Sequence, residues 1–264
     1  MEYAAPKPFA EGMKLVWHDE FDGDKIDMTK WAFKAKMAQG DIINGTGERN
    51  ARIDGGELLL QCHREEGEKP FSTNCSLTTD GTMSYRYGYL EMCANPPFFK
   101  GAWPSFWMQS DRRYLTTEYF VEVDIFEIFA SKDQVYPNLH KWWKGGHVQL
   151  PGGDRGYTFP NPETLNDEYH LYGFGWTPER MYFTVDGEEY YSYNIGEEGD
   201  FGGIGGMAGF QDPLYIILNN FLFTEGSRWK PGDCLVDENT TFPVEYRVKW
   251  MRLWQDETGE LFIG

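Results

Sequence analysis

The sequence predicts an all-β sandwich or barrel, and three observations carry that expectation. No long stretch repeats apolar residues with the 3.6-residue period of a helix. Short runs rich in Val, Ile, Tyr, Phe and Trp recur between clusters of Gly, Pro, Asn and Asp. Hairpin chemistry is explicit at Asp186-Gly187, where an Asp-Gly pair between the apolar runs Arg180–Val185 and Glu188–Asn194 suits the positive φ of a type I′ turn.

The expected strands follow in order. Leu15–His18 and Glu57–Cys62 are short apolar runs bounded by charged and glycine-bearing turns, and Gly88–Ala94 and Ala102–Gln109 repeat that pattern around Asn95-Pro-Pro. Glu122–Phe129 and Asn138–Trp143 flank a short turn at Ser131–Pro137. His170–Trp176, Arg180–Val185 and Glu188–Asn194 form a meander, and Leu214–Asn219 and Tyr246–Leu253 close the chain. The glycine-rich stretches Gly145–Gly156 and Gly196–Gly209 read as loops. Gly202–Gly206 lacks the flanking strand, helix and spacing of a phosphate loop. No repeat, linker or shift in composition divides the 264 residues, so residues 1–264 are expected to form one domain.

Composition narrows the function. A balance of 24 Lys and Arg against 42 Asp and Glu, net −18, disfavours nucleic acid, whose binding rests on neutralising phosphates. It weakly disfavours strongly sulfated polymers and suits a neutral one. Aromatics are 17% of the chain, enough to furnish flat faces for sugars as well as a β-rich core. No window approaches the roughly 20 apolar residues of a membrane helix, so no membrane partner is expected. Cys62, Cys75, Cys93 and Cys234 lack CxxC spacing and do not form a zinc motif. The amino terminus lacks the apolar core of a secretory signal, which leaves a secreted or cell-surface protein with its leader removed, or an intracellular one.

The decisive segment is Val121-Glu-Val-Asp-Ile-Phe-Glu-Ile-Phe129, three carboxylates in an otherwise apolar strand. Burying them costs several kcal/mol unless they are paired, hydrogen-bonded or protonated, so their presence points to chemistry. Regular alternation puts Glu122 and Asp124 on one face and Glu127 on the other. A single β-bulge at Ile125 or Phe126 returns Glu127 to the face of its partners. Two glutamates so placed suit a retaining glycosidase, which needs its carboxyls roughly 5–5.5 Å apart: one attacks the anomeric carbon, the other protonates the leaving oxygen and later deprotonates water. Asp124, between them, separates their pKa values. The competing reading is a set of calcium ligands or rim charges.

Glu122-Val-Asp-Ile-Phe-Glu127 resembles the E-x-D-x-x-E signature of glycoside hydrolase family 16 in its bulged form, as in laminarinases, β-agarases and carrageenases. Trp17–Gly23, Gly101–Trp107, Asp212–Asn219 and Val244–Gln255 resemble further segments of that family, in its order and over nearly the whole chain. The resemblance implies a jelly-roll sandwich of two curved antiparallel sheets with a concave substrate groove. It implies Glu122 as nucleophile, Asp124 as assisting acid, Glu127 as general acid/base, and sugar stacking by Trp103 and Trp107.

In the neighbouring run, Asn138, His140 and Trp142 share a face by alternation, which makes His140 and Trp142 groove candidates. Lys141 and Lys144 are expected near the rim, while His18, His63, His147 and His170 read as structural. Asp41–Gly47 replaces the tryptophan-bearing loop of laminarinases and leaves Asn44 as a groove candidate. The expected function is retaining endo-hydrolysis of internal β-linkages in a polysaccharide, a β-1,3- or mixed-linkage glucan first and a β-galactan of agar or porphyran type second. A non-catalytic carbohydrate-binding sandwich and a transglycosylase are the alternatives. A polysaccharide or oligosaccharide is the expected partner, with no cofactor, no metal and a monomeric state.

Overall fold

The computed structural model describes residues 5–33, 43–44, 47–65, 71–73, 76–149, 155–196, 206–225, 227, 232 and 234–264, with 43–44 and 71–73 as backbone only. Two large β-sheets pack face to face as a jelly-roll sandwich. The pairings are antiparallel except for the short contact of Ile43–Asn44 with Phe71–Thr73. Among the described residues the only helical element is a 3-10 turn at Leu165–Asp167, and no helix is long and apolar enough to cross a membrane.

One sheet runs Glu188–Asn194, Arg180–Val185, His170–Trp176, Gly88–Asn95, Val244–Gln255, Leu58–Arg64, with Lys14–Asp19 added to Val244–Gln255. The other runs Gly146–Gln149, Gln134–Trp143, Phe120–Glu127, Ala102–Ser110, Leu214–Leu222, Ser76–Thr78. Hence the acidic strand lies inside its sheet, between Ala102–Ser110 and Gln134–Trp143. Its backbone is paired on both sides except around Ile125 and Phe126.

Alternation drives the layering. Leu90, Met92 and Ala94 of one sheet meet Phe106, Met108, Val121 and Val123 of the other in a single buried cluster, while the residues between them face outward. Asn220 is fully buried on Leu214–Leu222, and its Nδ2 donates across the interior to Leu60 O at 3.1 Å and Val244 O at 3.0 Å in the opposite sheet. The two bonds tie the sheets together at this spot.

The strands expected from sequence are present, with ends shifted by a few residues. Three readings need correction. The Ser131–Pro137 turn is shorter, because the strand Gln134–Trp143 already includes Pro137. The stretch after Gly145 is not wholly loop: Gly146–Gln149 folds back as a strand, pairing His147 with Trp142 and Gln149 with His140. A Cβ on Gly146 would stand 2.2 Å from the Trp143 ring, so only glycine fits this tight return. Lys141 is not at the rim but fully buried, with Nζ donating to Gly206 O at 2.8 Å and lying 3.9 Å over the Tyr119 ring. Alternation explains that burial: Lys141 pairs with Val121 and so shares its core-facing side. The Asp186-Gly187 turn has positive φ at both residues, 50° and 80°, as a type I′ turn requires.

Candidate active site

Between Glu127 and Asp124 the pairing with Ala102–Ser110 moves from Ser105 and Phe106 directly to Trp107, so that Ile125 has no partner. The pairing with Gln134–Trp143 is interrupted over the same interval. This is a β-bulge, and it leaves Ile125 and Phe126 consecutive yet both buried in the core. The order along the strand becomes Val121 in, Glu122 out, Val123 in, Asp124 out, Ile125 and Phe126 in, Glu127 out. Glu122, Asp124 and Glu127 therefore line one cleft of about 250 Å³ together with Trp103, Ser105, Trp107, Gln109, Trp142, Asn219 and Phe221.

Each acid has its own holder. Glu127, 9% exposed, accepts from Trp103 Nε1 at 2.9 Å on one oxygen and from Asn138 Nδ2 at 2.8 Å on the other. Asn138 is oriented in turn by Gln149, whose Nε2 donates to its Oδ1 at 3.1 Å. Glu122 Oε2 accepts from Gln109 Nε2 at 2.9 Å, and Tyr215 O–H donates to Gln109 Oε1 at 2.9 Å. Asp124, 2% exposed, has His140 Nε2 at 3.3 Å from its Oδ2. His140 Nδ1 lies 2.9 Å from His147 Nε2, and His147 stacks on Trp142 with centroids 4.6 Å apart.

Burial dominates the electrostatics. It raises the Glu127 pKa to about 8, aided by the nearby Asp124 charge and opposed by the Trp103 and Asn138 bonds. Burial, then repulsion from Asp124, also holds Glu122 well above the carboxylate range, and burial does the same for Asp124. Like charges this close oppose each other's ionisation, so Glu122 and Asp124 titrate as a pair. The site thus keeps a protonated glutamate, Glu127, a few residues from a pair able to expose one charge.

The remaining candidates divide. Trp103 and Trp107 line the cleft but are largely packed: Trp103 stacks on Phe223 at 4.8 Å, and Trp107 Nε1 donates to Asn219 Oδ1 at 2.6 Å. Little of either side chain is exposed, 8% of Trp103 and 5% of Trp107. His140 and Trp142 stand beside the acids, with part of the Trp142 face covered by His147. Asn44 falls in a strand described by backbone alone, so its side chain lies outside the described residues. Gln109, Asn138, Asn219 and His147 were missed by reasoning from residue type. For Gln109 and Asn219 the signal was available, since each alternates in step with Trp107 on its own or the paired strand.

Residues 36–204, more than half the chain, match the family model described as Glycosyl hydrolases family 16. A beta-glucanase of Rhodothermus marinus is 30% identical over 252 residues, spanning 92% of this chain and 85% of that protein. The solved laminarinase of Rhodothermus marinus superposes with a TM-score of 0.72 at 27% identity, covering 92% of this chain and 97% of that one. The clotting factor G alpha subunit of Tachypleus tridentatus is 27% identical over 261 residues, of which this chain spans only 35% of the subunit's length. Fold and cleft together define a glycoside hydrolase sandwich. The chain belongs to glycoside hydrolase family 16.

Proposed function

We propose that this protein is a retaining endo-β-glycanase, with Glu122 as nucleophile, Glu127 as general acid/base and Asp124 as the residue that tunes both. The bulge at Ile125 carries this reading, because it gathers the three acids on one face in a cleft lined by aromatic side chains. Glu127 starts protonated and hands its proton to the departing glycosidic oxygen, while the Trp103 and Asn138 donors stabilise the carboxylate that remains. Glu122 attacks the anomeric carbon to form a covalent glycosyl-enzyme, with Gln109 fixing its other oxygen. Glu127, now ionised, deprotonates the water that releases the sugar.

The preferred substrate is a β-1,3- or mixed-linkage glucan, in keeping with the beta-glucanase and laminarinase relatives. A β-galactan is the second reading, suggested by Asp41–Gly47 in place of a tryptophan-bearing loop. A single-domain monomer acting outside the cell or at its surface completes the proposal. The test is a panel of purified glucans and galactans assayed for reducing ends, with product stereochemistry read by NMR in the first minutes. Internal cleavage of a β-glucan with retention supports the reading, and inversion at the anomeric carbon would refute it.

A further inference from the structure

One carboxylate oxygen each of Glu122 and Asp124 and a ring nitrogen of His140 all lie within 4.8 Å of one another. His140 Nε2 and Asp124 Oδ2 are 3.3 Å apart, close to the spacing of about 3.3 Å between two ligands placed roughly 2.0 Å from a tetrahedral metal. Asp124 Oδ2 is buried and has no hydrogen-bond partner, an unusual condition for a carboxylate oxygen. Gln109 donates to Oε2 of Glu122, and Oε1 has no hydrogen bond from it.

We infer that Glu122, Asp124 and His140 form a binding site for one zinc-like divalent cation, which blocks the groove when it binds. Two carboxylates and an imidazole are the donor set of zinc and its neighbours in the first transition row, with a fourth position open to water. Calcium and magnesium, which demand six or more oxygens, do not fit it. The support behind the ligands is also present. With a metal on Nε2, His140 carries its proton on Nδ1 and donates it to His147 Nε2, 2.9 Å away, while the stack of His147 on Trp142 fixes the ring. His170 offers a contrast on the other sheet: its acids, Asp186 at 2.7 Å from Nδ1 and Glu168 at 3.8 Å from Nε2, sit on opposite ring nitrogens and share no common point.

The test is titration of zinc chloride into the purified chain by calorimetry with no sugar present, so that it reads independently of the proposed activity. A single stoichiometric site is expected, weakened roughly 100-fold or more in His140→Gln and roughly 10- to 100-fold in His147→Phe, and unchanged in His170→Gln. Cobalt in place of zinc should give the visible absorption of a four-coordinate ion in the wild type and lose it in Asp124→Asn, which serves if His140→Gln proves unfolded by circular dichroism. On any glycan the chain cleaves, zinc should inhibit, EDTA should restore the rate, and calcium and magnesium should be inert. Absence of a stoichiometric zinc site, or wild-type affinity in a folded His140→Gln, overturns the inference.

Discussion

Two strands of this molecule each bury acid, and they do so for opposite ends. On Gly88–Asn95, Glu91 is 4% exposed, directly opposite Arg252 and Gly173 and clear of the register shift that this strand meets at Val248 to Trp250. Tyr89 O–H donates to it at 3.1 Å, in space that exists because a Cβ on Gly173 would lie 2.1 Å from that hydroxyl. Burial raises its pKa to about 7, held back by Tyr89 and by the cation of Arg252. On Phe120–Glu127 the register is broken and the acids number three, and after burial it is the charge of Asp124 that most raises Glu122 and Glu127. Glu91 has a cation across the ladder to oppose its burial. The two glutamates have an acid between them instead, and the bulge is what puts all three on one face.

The sharpest way to break this contrast is at Glu122. Glu122→Gln keeps the Gln109 contact within reach but has no charge to attack with, and turnover on polymer should fall by roughly 10⁴-fold or more while binding of oligosaccharide by calorimetry persists. A near-wild-type rate would remove the nucleophile assignment. Glu127→Ala should cost about 10²- to 10⁴-fold on polymer, and much less on an aryl glycoside whose leaving group needs no proton. Equal losses on both substrates would argue against an acid role.

The pH profile sharpens the comparison further. Glu127 must carry its proton, so kcat should fall as pH rises through about 8. Glu122 must lose its own, so the acid limb should lie above the ordinary carboxylate range. Because Asp124 raises both groups, Asp124→Asn should move both limbs to lower pH, read from kcat against pH on a soluble substrate. Limbs that stay put would mean that Asp124 acts through neither glutamate.

The smallest effect belongs to Glu91. Its folded pKa, about 7, stands above the unfolded value near 4.5, so the native state holds the extra proton between those limits and stability falls as pH rises across them. Glu91→Gln should therefore gain about 1–3 kcal/mol above pH 7, measured by urea unfolding, with kcat unchanged. A gain of equal size at pH 4 would place its origin elsewhere.

Much of this was legible in the sequence, in unequal parts. The strands of the meander, His170 to Asn194, were readable to the residue because turn chemistry pins both of their ends. The acidic strand was readable as to which residues act, and the run Ile125-Phe126 between Asp124 and Glu127 already signalled the double inward step. What escaped were residues whose role depends on a partner far along the chain. Gln109 matters through Tyr215, Asn138 through Gln149, and Lys141 through a loop carbonyl at Gly206. Lys141 lies inside and not at the rim because it pairs with Val121, and a ring and a carbonyl receive its ammonium there. Trp103 and Trp107 line the cleft as their alternation suggests, and their indole N–H groups hold Glu127 and Asn219, a role that residue type alone does not announce.

Asn220 has a wider consequence. By fastening the strand next to the groove floor to Leu60 and Val244 of the opposite sheet, its amide resists shear between the two layers. The apolar core between the layers is non-directional, whereas these two bonds fix one relative position of the sheets, and Asn220→Leu would remove both at once.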